Sequence, residues 1–266
     1  MSIELKDVAF AYDEASPVLS GLNMSIAPGE RVAIVGQNGA GKTTTVKLMN
    51  GLLKPTSGRV LVNGTDTSKM TNAKMAQTVA YVFQNPDDQL FQSDVYSELA
   101  YIPKYLKWGK QDTEQRLERA ISMTGIRPFV DDNPADLPFA IKKFVAIAAV
   151  LVPRVDFVIL DEPTAGLDGR GLEILQLMLD RLHEDGIGVI TITHDMRFVA
   201  DSFDRVIAMA HGKIQADGTP GEVFARDDVL AECRLQRPTA AHIARELGLG
   251  NHLGIEEIAT AMIAKK

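Results

Sequence analysis

Cysteine is all but missing from this chain of 266 residues: Cys233 stands alone. An intrachain disulfide is therefore excluded, and a reducing compartment is expected. Long apolar runs are missing too. The longest uncharged one, Phe144 to Val152, falls well short of the roughly 18 residues that a membrane span needs and reads as a buried helix. The N-terminus, MSIELKDVAF, carries Glu4 and Asp7 where a secretion signal would be basic and then apolar. Positive charge is scarce. Lys and Arg number 28 against 35 Asp and Glu, and the net charge of −7 has no basic tract to offset it. The chain as a whole is therefore not expected to bind nucleic acid. No internal repeat and no low-complexity linker is present. What remains is 45% hydrophobic and 24% charged, the balance of a soluble globular protein with sequence enough for a sizeable core.

Glycine is concentrated where it can do chemistry. In Arg31 to Leu48, RVAIVGQNGAGKTTTVKL, the apolar run Val32-Ala33-Ile34-Val35 predicts a strand buried on both faces. It stops at Gly36, and Gly36-Gln37-Asn38-Gly39-Ala40-Gly41-Lys42-Thr43 fits G-x-x-x-x-G-K-[ST] at each fixed position. Helix-forming sequence follows from Thr44. Such glycines let backbone N–H groups curl around a phosphate, and a helix N-terminus adds unpaired donors and partial positive charge. Lys42 can reach the β- and γ-phosphates of a nucleotide, and the Thr43 hydroxyl can ligate Mg²⁺.

Before this stretch, residues 2–12 alternate and predict a half-buried antiparallel strand with a slip near Asp7. Val18 to Ile26 predicts a second strand, and Pro28-Gly29-Glu30 a turn. Tyr12, ending the first strand, is either a surface tyrosine or an aromatic platform for adenine. After the loop, Arg59-Val60-Leu61-Val62 meets the hairpin signal Asn63-Gly64, and Val79 to Phe83 is a strand closed by Gln84. From about Asp94 to Val152 the pattern is helical, with one helix start at Asp112 to Gln115. Beyond Gly218-Thr219-Pro220, short helices are expected around 221–232, 238–248 and 254–264.

Two further strands end in reactive groups. Phe157-Val158-Ile159-Leu160 runs into Asp161-Glu162, and Gly188 to Thr193 runs into His194-Asp195. Ligands of open α/β sheets bind at such carboxyl ends. Acids at the end of an apolar strand cost desolvation unless something cationic uses them. Asp161 would hold Mg²⁺, directly or through water, and Glu162 would orient or deprotonate an attacking water. His194 could contact a γ-phosphate.

GQNGAGKT, Gln84, VILDEPTAGLD and His194, in that order, resemble an ATP-binding cassette (ABC) ATPase over the first 225 positions. The resemblance implies an α/β P-loop NTPase fold of the ABC ATPase type. Its parts would be a mixed sheet core, an antiparallel β subdomain, a helical insert and a helical C-terminal extension. It implies an ATP-binding domain over 1–225, with the helical subdomain about 86–155, and an extension over 226–266 that pairs the two ATPases. It implies ATP and Mg²⁺, with Tyr12 stacking on adenine and residues Gly36 to Thr44 holding phosphate. Gln84 would sense Mg²⁺ and a membrane partner, Asp161 and Glu162 would serve metal and water, Asp168 would cross the dimer interface, and His194 would contact the γ-phosphate. The implied partners are a second ATPase and integral membrane subunits, and the implied place is the cytoplasmic face of the cell membrane, as a peripheral protein. VFQNPDDQLFQSDVYSEL looks like the matching segment of energy-coupling factor ATPases, which drive bacterial uptake of vitamins and of cobalt or nickel. A non-transport ABC ATPase and a regulatory nucleotide-binding subunit with weak hydrolysis are the alternative readings.

One segment departs from the family. Its Leu-Ser-Gly-Gly-Gln signature, which offers a serine hydroxyl and glycine N–H groups to the ATP of the opposite subunit, aligns with Leu137-Pro138-Phe139-Ala140-Ile141, in front of the helix before VILDE. Pro138 has neither hydroxyl nor N–H, and Phe139 is bulky where close approach is needed. Lys142 and Lys143 could supply charge, though not the same geometry. The segment is either a degenerate signature or a tolerated family variant that still works; the first predicts a heterodimer with one productive and one weak site.

Overall fold

The structure, a computed structural model, describes residues 1–13 and 16–264. The N-terminal alternation forms β1 (Ile3–Ala11) and β2 (Pro17–Ile26), paired antiparallel. The slip near Asp7 is a bulge: Asp7 has φ 49°, and the register shifts between Leu5 and Val8. The apolar run before the glycine loop is β3 (Arg31–Val35), and α1 (Lys42–Met49) leaves the loop directly. β4 (Ser57–Val62) and β5 (Thr65–Asp66) form a hairpin at Asn63-Gly64, both at positive φ. The short α2 (Asn72–Met75) leads to β6 (Val79–Val82). Three helices follow, α3 (Val95–Tyr105), α4 (Lys110–Thr124) and α5 (Phe139–Leu151). The chain then returns through β7 (Phe157–Asp161), α6 (Gly169–Glu184), β8 (Gly188–Ile192), α7 (Met196–Ser202) and the hairpin β9 (Arg205–Ala210) and β10 (Lys213–Gly218). It ends in α8 (Pro220–Ala225), α9 (Asp227–Cys233), α10 (Thr239–Glu246) and α11 (Ile255–Ala264).

The strands make two sheets. One is antiparallel in the order β2-β1-β4-β5. The other runs β10-β9-β3-β8-β7-β6 and is parallel except for β10. Two apolar cores flank the parallel strands. Ala33, Val35, Val158, Leu160 and Val189 join the helices on one side, while Val32, Ile34, Phe157, Ile159 and Ile190 join the antiparallel sheet on the other. Burial on both faces is why these strands read as unbroken apolar runs. It also aligns the carboxyl ends of β3, β7 and β8 along one edge, where the glycine loop, Asp161 and His194 emerge.

The helical regions differ from expectation in three places. α4 starts at Lys110, because Gly109 takes the extended cap conformation; Asp112 then falls in the first turn, where a carboxylate complements the helix dipole. The single helix expected over 221–232 is two. Thr219 and Glu222 close a capping box on α8, the backbone is extended at Arg226, and Asp227 and Asp228 open α9. Phe139, Ala140 and Ile141 lie in the first turn of α5 rather than in front of it, and Pro138, which has no N–H to contribute, is the residue before the helix. Of the segments expected from sequence, Glu14, Ala15, Lys265 and Lys266 lie outside the described residues. Among the described residues no helix is long and apolar enough to cross a membrane.

Candidate active site

The loop from Gly36 to Gly41 bridges β3 and α1. Gly41, at φ 98°, precedes α1 without a side-chain cap, so first-turn N–H groups stay available to an anion. Lys42 is 6% exposed, and its ammonium donates to the carbonyls of Gly36 (2.7 Å) and Gln37 (3.1 Å). Burial lowers its pKa, opposed by the charges of Glu162 and Asp161.

A cavity of about 680 Å³ opens over this loop. Tyr12, Asn38, Gly39, Gly41, Lys42, Thr43, Thr44, Gln84, Asp161, Glu162 and His194 line it, together with Val18, Ala165 and Ile192. The structure therefore brings together residues that the sequence spreads over more than half its length. Gly36, Gln37 and Ala40 do not line the cavity: the first two receive the Lys42 ammonium, and Ala40 is buried beneath the loop. Tyr12 is exposed at the rim, its hydroxyl 3.4 Å from Thr44 Oγ1 and its ring edge-on to Phe10.

The acidic end of β7 is tightly held. Glu162 is left-handed, with φ 49°, and its N–H donates to the Ile192 carbonyl at the end of β8 (2.8 Å). Its carboxylate accepts from the His194 N–H at 3.3 Å, and His194 Nε2 lies 3.4 Å from the other oxygen. Asp161 is 7% exposed, and burial raises its pKa against the Tyr81 hydroxyl bond and the charges of Lys47, Lys42 and Lys143. The Tyr81 hydroxyl donates to Asp161 Oδ2 at 2.8 Å, and burial beside that carboxylate pushes the phenol pKa up.

The donor set fits Mg²⁺. Asp161, the Thr43 hydroxyl and the Gln84 side chain offer hard oxygen ligands to one cavity. Among the described residues no group of three His, Cys, Asp or Glu side chains could make a dedicated metal cage. One carboxylate shared with substrate phosphates is how Mg²⁺, rather than a caged transition metal, is usually held.

The segment Leu137 to Ile141 and Asp168 are not brought to this cavity. Asp168 caps α6, accepting from the Gly171 N–H at 2.8 Å. Phe139, 44% exposed, lies with its ring against Gly166. Neither lysine after the segment offers free charge: Lys142 pairs with Asp87 at 2.8 Å, and the Lys143 ammonium donates to the Glu162 carbonyl.

Sequence reasoning missed Tyr81 and the role of Lys143. Tyr81 shows only as a phenol in an apolar strand. Its bond to Asp161 exists because β6 and β7 pair with Tyr81 opposite Ile159, which puts Tyr81 and Asp161 on one face of adjacent strands. Replacing it, Tyr81→Phe, leaves a buried carboxylate oxygen without its donor, at an expected cost of about 1–3 kcal/mol. Chemical denaturation measures this, and an unchanged midpoint would show the bond to be idle.

Known proteins share this fold. The sequence model of the ABC transporter family matches residues 19–165. The chain belongs to the ABC transporter ATP-binding family. It is 38% identical to the energy-coupling factor transporter ATP-binding protein EcfA of Methanocaldococcus jannaschii over 256 residues, covering 96% of this chain and 92% of that one. EcfA of Methanothermobacter thermautotrophicus is 36% identical, over 92% of this chain and 79% of its own length. Among solved structures, cbiO1 of Clostridium perfringens, part of the ABC transporter complex cbiONQ, superposes with TM-score 0.79 at 37% identity, over 91% of this chain and 98% of that one. A dimeric bacterial ABC transporter cassette, MJ0796, superposes with TM-score 0.73 at 25% identity, over 82% and 98%. The chain thus has the α/β P-loop fold of an ABC ATPase, and ATP hydrolysis is the reaction of such subunits. ABC ATPases act as dimers with membrane subunits.

Proposed function

We propose that this chain is the ATP-hydrolysing subunit of an energy-coupling factor type uptake transporter, peripheral on the cytoplasmic face of the membrane. The cargo would be a vitamin or a transition-metal ion, chosen by a separate membrane subunit. The observation that carries the reading is the single cavity in which Lys42, Thr43, Asp161, Glu162 and His194 meet at the carboxyl edge of the parallel sheet. The likeness to the transporter ATPases EcfA and cbiO1 supports the transport class.

In this reading the N–H groups of Gly36 to Thr44 and the Lys42 ammonium bind the phosphates of ATP, and Tyr12 stacks on adenine. Thr43, Gln84 and Asp161 hold Mg²⁺. Bound there, Mg²⁺ would supply charge neutralisation to the phosphates. Glu162 accepts a proton from the attacking water, and His194, already against the Glu162 carboxylate, orients it and faces the γ-phosphate. Motion of the dimer is passed to the membrane subunits near Gln84.

The ATPase domain is assigned to 1–225, with its helical subdomain at about 86–155, and the extension over 226–266 to dimer contact. Exposed Ile243, Leu247, Ile255, Met262 and Ile263 support that last assignment. Leu137 to Ile141 and Asp168 would face the second ATPase. Lacking the hydroxyl and glycine N–H groups, Leu137 to Ile141 would give the partner's ATP little turnover. A heterodimer with one strong and one weak site follows.

The test is ATP turnover of the purified chain, alone and mixed with a cassette partner that carries an intact signature and Gln for its own catalytic Glu. Little activity alone and a large rise on mixing are expected. Turnover of about tens per second by the chain alone, within the usual enzyme range, would make Leu137 to Ile141 a working signature. The homodimer would then be the functional unit.

A further inference from the structure

The first turn of α5 is fastened to its own chain's catalytic turn. Lys143 is 3% exposed, and its ammonium donates to the backbone carbonyl of Glu162. The same ammonium stands 5.4 Å from the centroid of the Phe139 ring, and that ring covers Gly166. A Cβ on Gly166 would meet Phe139 Cδ1 at 2.9 Å, so ring and backbone are in direct contact. The turn being covered is strained. Glu162 sits at φ 49°, a conformation that costs a residue with a side chain about 1–2 kcal/mol. Its N–H is held by the Ile192 carbonyl at 2.8 Å, but within the turn its carbonyl receives only the long bond from the Ala165 N–H, 3.3 Å. That carbonyl's other donor is the Lys143 ammonium, a charge-assisted bond.

We infer that Lys143, assisted by Phe139, is a positioning residue for Glu162: the start of α5, which overlaps the end of the segment aligned with the family's partner-facing signature, serves here as an intrachain brace on the catalytic turn. Residues 139 and 143 are one helical turn apart and present one face to the 162–166 turn. The carbonyl that Lys143 grips belongs to the residue whose carboxylate meets His194, so slack in the peptide becomes displacement of the carboxylate. Burial pushes the Lys143 pKa down to about 8, against the opposing charges of Glu162 and Asp161. Two further ties keep α5 in place: the Lys142–Asp87 pair, and Gln89, which accepts from the Phe83 N–H (3.1 Å) and donates to the Ala146 carbonyl (3.0 Å).

The brace affects turnover only if Glu162 is the base, so the inference rests on the reading above, and the test separates the two. Single-turnover hydrolysis is measured with the purified chain mixed with the cassette partner that carries an intact signature and Gln for its own catalytic Glu, beside ATP affinity and hydrogen exchange at the amides of residues 163–168. Lys143→Met should lower the turnover rate about 10- to 100-fold while leaving the ATP Kd within about threefold. Exchange at 163–168 should speed up by about tenfold or more. Lys143→Arg, which keeps a donor, should restore most of both. Phe139→Ala, at a half-exposed site, should speed exchange by a smaller factor. In a Glu162→Gln background, Lys143→Met should cost no further turnover. Unchanged exchange and turnover in Lys143→Met would overturn the brace. So would an undiminished loss in the Glu162→Gln background, or a loss seen only in ATP affinity. Normal turnover in Glu162→Gln alone would instead remove the base, leaving the exchange result to judge the contact.

Discussion

Glu162→Gln is expected to cut ATP turnover by roughly 10²–10⁴-fold if Glu162 is the general base, with ATP binding preserved. The amide has nearly the shape of the carboxylate and keeps an oxygen to accept the His194 N–H. It cannot take a proton from water. The left-handed backbone at residue 162 depends on the Ile192 and Lys143 bonds to the peptide, and neither involves the side chain. The cavity over the loop should therefore keep its form. Phosphate release by the chain mixed with the cassette partner of intact signature, read beside nucleotide affinity, makes the distinction. Low turnover with intact affinity supports proton transfer at Glu162. Unchanged turnover would remove it from that role, and lost affinity would mean that its charge serves binding instead.

Gly36→Ala should have a large effect on folding. Gly36 has φ 147°, and a Cβ there would stand 2.1 Å from the backbone carbonyl oxygen of Met209. That oxygen belongs to β9, which pairs with β3 from Val32 to Val35. The clash cannot be relieved by a side-chain rotation. Either β9 shifts against β3 or the loop abandons its path. A cost of about 4–5 kcal/mol is expected, which for a chain of this size lowers the melting temperature by about 8–20 °C. ATP affinity should fall with it, because the Gly36 carbonyl holds the Lys42 ammonium. Gly39→Ala is the control. Gly39 also has positive φ, 80°, but nothing lies within 4 Å of its Cβ position. Conformational strain alone should cost it about 1–2 kcal/mol. Equal effects at both positions would show that backbone conformation, not the approach of β9, makes Gly36 indispensable.

The glycine loop, the buried strands and the acids at their ends are legible in the amino-acid order alone. These features are local. A parallel strand covered on both faces must be apolar along its whole length, and a phosphate-binding turn must have glycines at set spacings before a helix. The bulge at Asp7 and the hairpin at Asn63-Gly64 were legible for the same reason: a residue that breaks alternation or takes positive φ leaves its mark within a few positions. Helix boundaries were less legible, since Gly109 and Arg226 set them through backbone conformations that many residues share. Only the tertiary structure decided what holds the acids. Tyr81 and Asp161 are 80 residues apart and meet through the register of β6 on β7. Lys143 and Glu162 meet through the docking of α5 on the turn after β7, which also sets Phe139 on Gly166. Periodicity in a sequence says which face of an element is apolar. It does not say which residue of a neighbouring element stands opposite, because register is settled by how whole strands and helices pack.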